Sequence, residues 1–192
     1  MTYFRNFTAP LWEIFAGNLL LLSCILFYLI WWVVSFRPNS SSGSSGVFYI
    51  TAAFITGVAA IVLLSGGITS LSQDSKSLPV KFILLGVAAL FLVLLPVMSI
   101  AFHRALTSEL IIIHIWAALE LSVVAVLYGT RYFGLGRVAI LATLVGIAFV
   151  TSLICYVLYY RLNGTVSYWD GMVPLMMAAF VMTVFLGVMA VS

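Results

Sequence analysis

The chain has 192 residues, 65% of them hydrophobic and only 7% charged, against about 25% charged in a typical soluble domain. No water-soluble fold can hide that much apolar surface, so the medium facing most of this protein must be lipid. The net charge of +3 comes from eight Lys and Arg scattered between apolar runs. No basic run could follow a phosphate backbone, so nucleic acid is not an expected partner.

A hydrocarbon core about 30 Å thick needs roughly 20 helical residues at ~1.5 Å each. Six apolar runs meet that length, at about 11–34, 47–70, 80–102, 110–128, 138–160 and 172–191. The prediction is an all-α, six-transmembrane-helix bundle forming one integral membrane domain over residues 1–192. Arg5 precedes the first run, which carries Glu13 and Asn18 and has no small-residue cleavage site after a short apolar core, so the first span is expected to be retained. Arg37-Pro38-Asn39 ends it. The Ser/Gly stretch from Ser40 to Gly46 that follows reads as a flexible linker, a composition shared with engineered spacers.

The second span carries Ala53, Gly57 and Ala60 on one helical face, followed by Ser65 and the Gly66-Gly67 pair. Small residues at that spacing let backbones approach closely, so this face is expected to meet another span or a partner subunit. Ser72 to Lys76, His103-Arg104, Arg131 with Gly134 and Gly136, and the segment from Arg161 to Gly171 supply the remaining breaks. Pro96 and Pro174 lie inside the third and sixth spans, where a missing N–H can kink a helix. Tyr3, Phe4, Trp12, Trp31, Trp32, Tyr159, Tyr160, Tyr168 and Trp169 flank apolar runs as an interfacial belt.

Six crossings would place Arg5, Lys76, Lys81, Arg131 and Arg137 on one side and Arg37, Arg104 and Arg161 on the other. The excess favours cytoplasmic N- and C-termini. Arg37, Arg104 and Arg161 read as stop signals rather than as marks of a repeat. Cys24 and Cys155 lie within apolar runs without a CxxC pattern and read as small buried hydrophobes.

Candidate chemistry centres on Glu120, near the middle of the fourth span. Ionising a carboxyl at the bilayer centre costs several kcal/mol unless it is paired or wetted, so such a group suits a proton relay or a cation site. The structural alternative is a neutral acid hydrogen-bonded between helices, with Thr56, Ser152, Thr183 or the surroundings of Ser122 at similar depth. Trp116 precedes Glu120 by one helical turn and shares its face, whereas His114 points elsewhere. Asn18 is a second buried hydrogen-bonding candidate. Glu13 lies five residues before it, on a different face.

At the opposite end of the third and fourth spans, His103, Arg104, Glu109 and His114 flank a short hairpin, with Arg161 and Asp170 at the same level. Two histidines there are candidate metal or haem ligands, although His103 sits at the very edge of its span. Met172 and Met176 of the sixth span, spaced as MxxxM, are candidate soft-metal ligands; Met is also an ordinary filler of apolar interfaces. No Walker, GxSxG or HExxH pattern occurs, and no Asp/Glu set is clustered for Mg²⁺, which leaves hydrolysis few participants.

Three functions remain open on these residues: a transport or permeation component binding a small solute or ion between helices at Glu120, Trp116 and Asn18; an intramembrane redox, metal- or haem-binding subunit around His103 and His114; and a non-catalytic accessory subunit docked through Ala53, Gly57 and Ala60. The sequence specifies no cofactor.

Overall fold

The computed structural model describes residues 8–36, 45–74, 83, 86, 90, 108–159 and 161–191. Among them are five α-helices: α1 Ala9–Phe36, α2 Ser45–Asp74, α3 Ser108–Gly129, α4 Leu135–Tyr159 and α5 Gly164–Ala190. All five are long and apolar enough to cross a membrane. The chain is an all-helical protein of the multi-pass membrane type. The predicted third span, 80–102, lies outside the described residues apart from Ile83, Gly86 and Leu90, which are helical. His103, Arg104, Pro96, Arg5, Arg37, Lys76, Lys81 and Tyr160 also lie outside them.

Hydroxyl residues sit within these apolar helices because each can bond its own helix. Thr51 donates to the Val47 carbonyl at 2.8 Å, Thr56 to Ala52 at 2.8 Å and Thr69 to Ser65 at 2.7 Å. A proton held one turn back needs no partner in lipid.

Two boundaries differ from the sequence reading. α2 begins at Ser45, so Ser45 and Gly46 belong to the helix and not to the linker. α5 begins at Gly164 rather than near Met172, and the segment read as a break from Arg161 to Gly171 is mostly helix. Nothing from Thr165 to Val173 removes a backbone donor. Asn163, in extended conformation (φ −96°, ψ 135°), precedes the first turn. Trp32 of α1 then donates its indole N–H to the Tyr168 carbonyl at 3.3 Å and holds that turn against the bundle.

Each helix packs on its chain neighbours, and α5 packs back on α1, so the five close into a ring in chain order. α3 is the most enclosed: 56% of its central window is buried, against 17–33% in the others. One apolar cluster joins Leu11 and Ile14 of α1, Leu64, Ile68 and Leu71 of α2, Val123 to Leu127 of α3 (Ala125 aside), Phe133 and Leu141, and Phe185 and Met189 of α5. The start of α1 and the final turns of α2, α3 and α5 therefore share one end, called here the near end. A second cluster, deeper along α3, joins Trp116 and Ala117 to Val145 and Ala148 of α4 and Val181 of α5. At the far end, Trp32 stacks edge-on against Tyr159 at a centroid distance of 5.9 Å. α2 and α3 consequently run in the same direction.

Outward faces are largely apolar: Phe54, Ile55 and Val62 of α2, Ile111, Ile112 and Ile115 of α3, Ile147, Val150 and Ile154 of α4, and Phe180 of α5 are exposed. Such continuous apolar surface is stable only against lipid.

The α1–α2 pair is brought together by glycine. A Cβ on Gly17 would stand 2.8 Å from Leu64 Cγ, and one on Gly67 would stand 2.7 Å from Ile14 Cγ1 and 3.0 Å from the Pro10 carbonyl. On the predicted small-residue face of α2, Ala53 and Ala60 are buried, and a Cβ on Gly57 would meet Cys24 Sγ of α1 at 3.1 Å. That face is covered by α1 of the same chain, which takes the place of the partner subunit considered from sequence.

Candidate functional site

On α1, the positions Leu11, Ile14, Asn18, Leu21, Ile25, Tyr28 and Trp32 recur at alternating spacings of three and four, which keeps them on one stripe. Asn18 is fully buried within that stripe. Its Nδ2 donates to the Ile14 carbonyl at 2.8 Å. A carbonyl accepts only a donor, so the amide is oriented with Oδ1 turned away, and Oδ1 has no protein hydrogen-bond partner.

α3 presents the corresponding stripe Trp116, Glu120, Val123/Val124 and Leu127. Glu120 is fully buried, and neither carboxyl oxygen has a protein hydrogen-bond partner. Trp116 is 8% exposed, and its indole Nε1 is likewise buried without an acceptor. The hydroxyls considered from sequence as partners for Glu120 are all engaged by their own helices. Ser122 donates to Ala118 at 2.6 Å, Ser152 to Ala148 at 2.7 Å, Thr56 to Ala52, and Thr183 to Ala179 at 2.8 Å.

Asn18 and Glu120 lie at the same depth. Asn18 is nine residues from Ala9 (18 − 9) and Glu120 nine from Gly129 (129 − 120), each about 13.5 Å from the near end at ~1.5 Å per residue. The clusters agree: Ile14 belongs to the near-end cluster with Val123 and Val124, while Leu21 packs on both that cluster and the one holding Trp116. By residue count both polar residues therefore lie between the levels of the two clusters, on helices that are not neighbours in the ring. The buried residues around this level are apolar: Leu64 on α2, Leu141 and Val145 on α4, Val181 and Met182 on α5.

The remaining candidates are dispersed. His114 is buried with its ring edge-on to Phe149 of α4 at 5.0 Å, six residues from Glu120 and off its face. Its proposed companion His103 is outside the described residues. Met172 is buried, whereas Met176 is 56% exposed on the lipid side, so the two thioethers do not face a common space. Glu13 lies against α2 beside Gly66, with Oε2 buried and without a partner. Among the described residues no group of three His, Cys, Asp or Glu side chains is placed to hold a metal ion.

Two arrangements were not anticipated from the sequence. Trp32, read as one of several interfacial anchors, is half-buried and packs against α5. Its ring occupies the space a Cβ on Gly171 would fill. Its place on the α1 stripe was the available signal. Cys155, read as a small buried hydrophobe, hydrogen-bonds Asp170 of α5, a pairing hidden because the sequence placed Asp170 in a loop. No family model, curated protein or solved structure matches the chain.

Proposed function

We propose that this protein is a membrane transport or permeation component that binds a small solute or ion between its helices, with Glu120 as the binding group and Asn18 and Trp116 completing the site. One observation carries the reading: Glu120 is fully buried and neither carboxyl oxygen is satisfied by the protein. A buried polar group left without a partner costs about 1–3 kcal/mol, more if charged. Such a cost is retained where the group serves something that comes and goes. The structural alternative needs an interhelical hydrogen bond to Glu120, and neither of its carboxyl oxygens makes one among the described residues.

The finer topology belongs to the same proposal. α2 ends at the near end and α3 begins at the far end, so the chain between Asp74 and Ser108 passes from one membrane face to the other. The apolar run at 80–102 has the length to do so, giving six crossings with both termini on the near side. Arg131 and Arg137 are also on that side, which makes it the cytoplasmic one.

The test is flux. The full chain, reconstituted in liposomes, is expected to move a subset of a panel of small ions and polar solutes, and Glu120→Gln to reduce that flux while leaving the fold intact. Equal flux in wild type and variant across the panel removes the proposal.

A further inference from the structure

The chemistry of the Glu120 level narrows what it binds. Three buried oxygens lack a donor there, Asn18 Oδ1 and both oxygens of Glu120, against a single donor without an acceptor, Trp116 Nε1. Acceptors in excess favour a ligand that donates hydrogen bonds or carries positive charge, and they repel an anion. No Lys or Arg is among the buried described residues. Among the described residues the ionised carboxylate therefore has no cationic side chain beside it, and a buried charge must be neutralised or paired.

With no cationic side chain buried among the described residues, neutralisation falls to a proton or to a cation from outside. We propose that Glu120 exchanges one proton for one monovalent cation, an alkali ion or an ammonium group, so that the site is neutral in both states. The proposal rests on the reading of Glu120 as the ligand-binding group. The balance is Glu120–COOH plus M⁺ giving Glu120–COO⁻·M⁺ plus H⁺. The proton leaves to bulk water, and the cation takes its place at the carboxylate. A divalent ion would leave one uncompensated charge in an apolar interior, and Ca²⁺ and Mg²⁺ also require at least six oxygen ligands. Because each state carries zero net charge at the site, exchange is electroneutral and insensitive to the membrane potential.

The other titratable and charged groups of the packed elements lie away from this level, Cys24 and Tyr28 of α1 included, six and ten residues beyond Asn18 toward the far end. Glu13 of α1 and Arg137 of α4 are nearer the near end; His114 of α3, Cys155, Tyr156 and Tyr159 of α4, and Tyr168 and Asp170 of α5 are toward the far end; Tyr49 of α2 is also toward the far end, and Tyr128 of α3 is exposed near its last turn. None can substitute for Glu120 in the exchange.

The experiment has two arms with the full-length protein. In weakly buffered detergent, KCl, NaCl or methylammonium chloride is titrated in, with choline chloride at matched ionic strength as control; wild type is expected to release one proton per protein for at least one of the three small cations. In phosphatidylcholine/phosphatidylglycerol liposomes carrying an internal pH indicator, a gradient of that cation is expected to drive opposite proton movement, at a rate unchanged when the potential is clamped. Glu120→Gln should abolish proton release and bring proton-coupled cation exchange down to the rate of protein-free liposomes, because the amide has no proton to exchange. Glu120→Asp, which keeps the charge, should retain exchange. Proton release by Glu120→Gln equal to wild type, or cation flux that follows the potential without proton movement, overturns the exchange. Glu120-dependent flux of a neutral solute alone overturns the exchange but leaves the transport reading standing. Flux and proton release that are absent for every probe, or indifferent to Glu120, overturn both.

Discussion

A carboxyl group without a counter-charge in the middle of a helix bundle is carried at the expense of stability. Glu120 has no protein partner for either oxygen, and Leu or Gln at that position would fill a similar volume without the acid. Glu120→Leu is therefore expected to raise the thermal midpoint of the detergent-solubilised protein, by an amount corresponding to about 1–3 kcal/mol. The same substitution should eliminate flux. A melting curve lowered by Glu120→Leu would mean that the acid is part of the packing, and the structural alternative would regain its place. This residue was legible in the sequence because an acid inside a long apolar run is conspicuous. Asn18 was grouped with it from the sequence as a candidate; their relative depth was not legible, because the depth of one helix against another depends on where each begins, and the boundaries of apolar runs locate that only to within a turn.

At the scale of the helices, contact is decided by where a methyl group fits. Gly17 and Gly67 sit where added Cβ atoms would strike Leu64, Ile14 and the Pro10 carbonyl, so α1 and α2 would have to separate. Gly146 of α4 has nothing within 4 Å of its Cβ position. Gly67→Ala is expected to destabilise by about 1–3 kcal/mol through overpacking, while Gly146→Ala should be neutral or stabilising by up to about 1 kcal/mol. Thermal melts of the two variants side by side check this; equal effects would count against the packing of α1 on α2. Trp32 and Gly171 form a second such pair between α1 and α5. Gly171→Ala alone should be destabilising because the ring has no room to move, and adding Trp32→Ala should relieve part of that cost, a non-additivity of the kind found between residues in contact. The α1 stripe from Leu11 to Trp32 could be followed in the sequence by its three–four spacing. The opening of α5 could not, since Tyr168, Asp170 and Gly171 look like a turn until Trp32, more than a hundred residues earlier, is seen to cover them.

The direction of the helices sets the topology of the whole molecule. α2 and α3 both finish at the near end, where Leu64, Ile68 and Leu71 meet Val123, Val124, Val126 and Leu127 in one cluster. On the proposed six-crossing topology, the stretch of chain that joins two helices finishing at the same end begins on one side of the membrane and finishes on the other. The sequence had suggested this from hydropathy alone; the parallel course of α2 and α3 is an independent argument. Single cysteines introduced at Ser77 and at Thr107, in a background with Cys24 and Cys155 replaced by Ala, should accordingly label from opposite faces of sealed, oriented vesicles with a membrane-impermeant maleimide. A cysteine at Gly134, in the turn between α3 and α4, should label from the same face as the one at Ser77, because both follow helices that finish at the near end. In cells that face should be the cytoplasmic one if Arg131 and Arg137 set the orientation, and replacing both with Gln should weaken that preference. Ser77 and Thr107 labelling from one common face would break the six-crossing topology while leaving the five described helices unchanged.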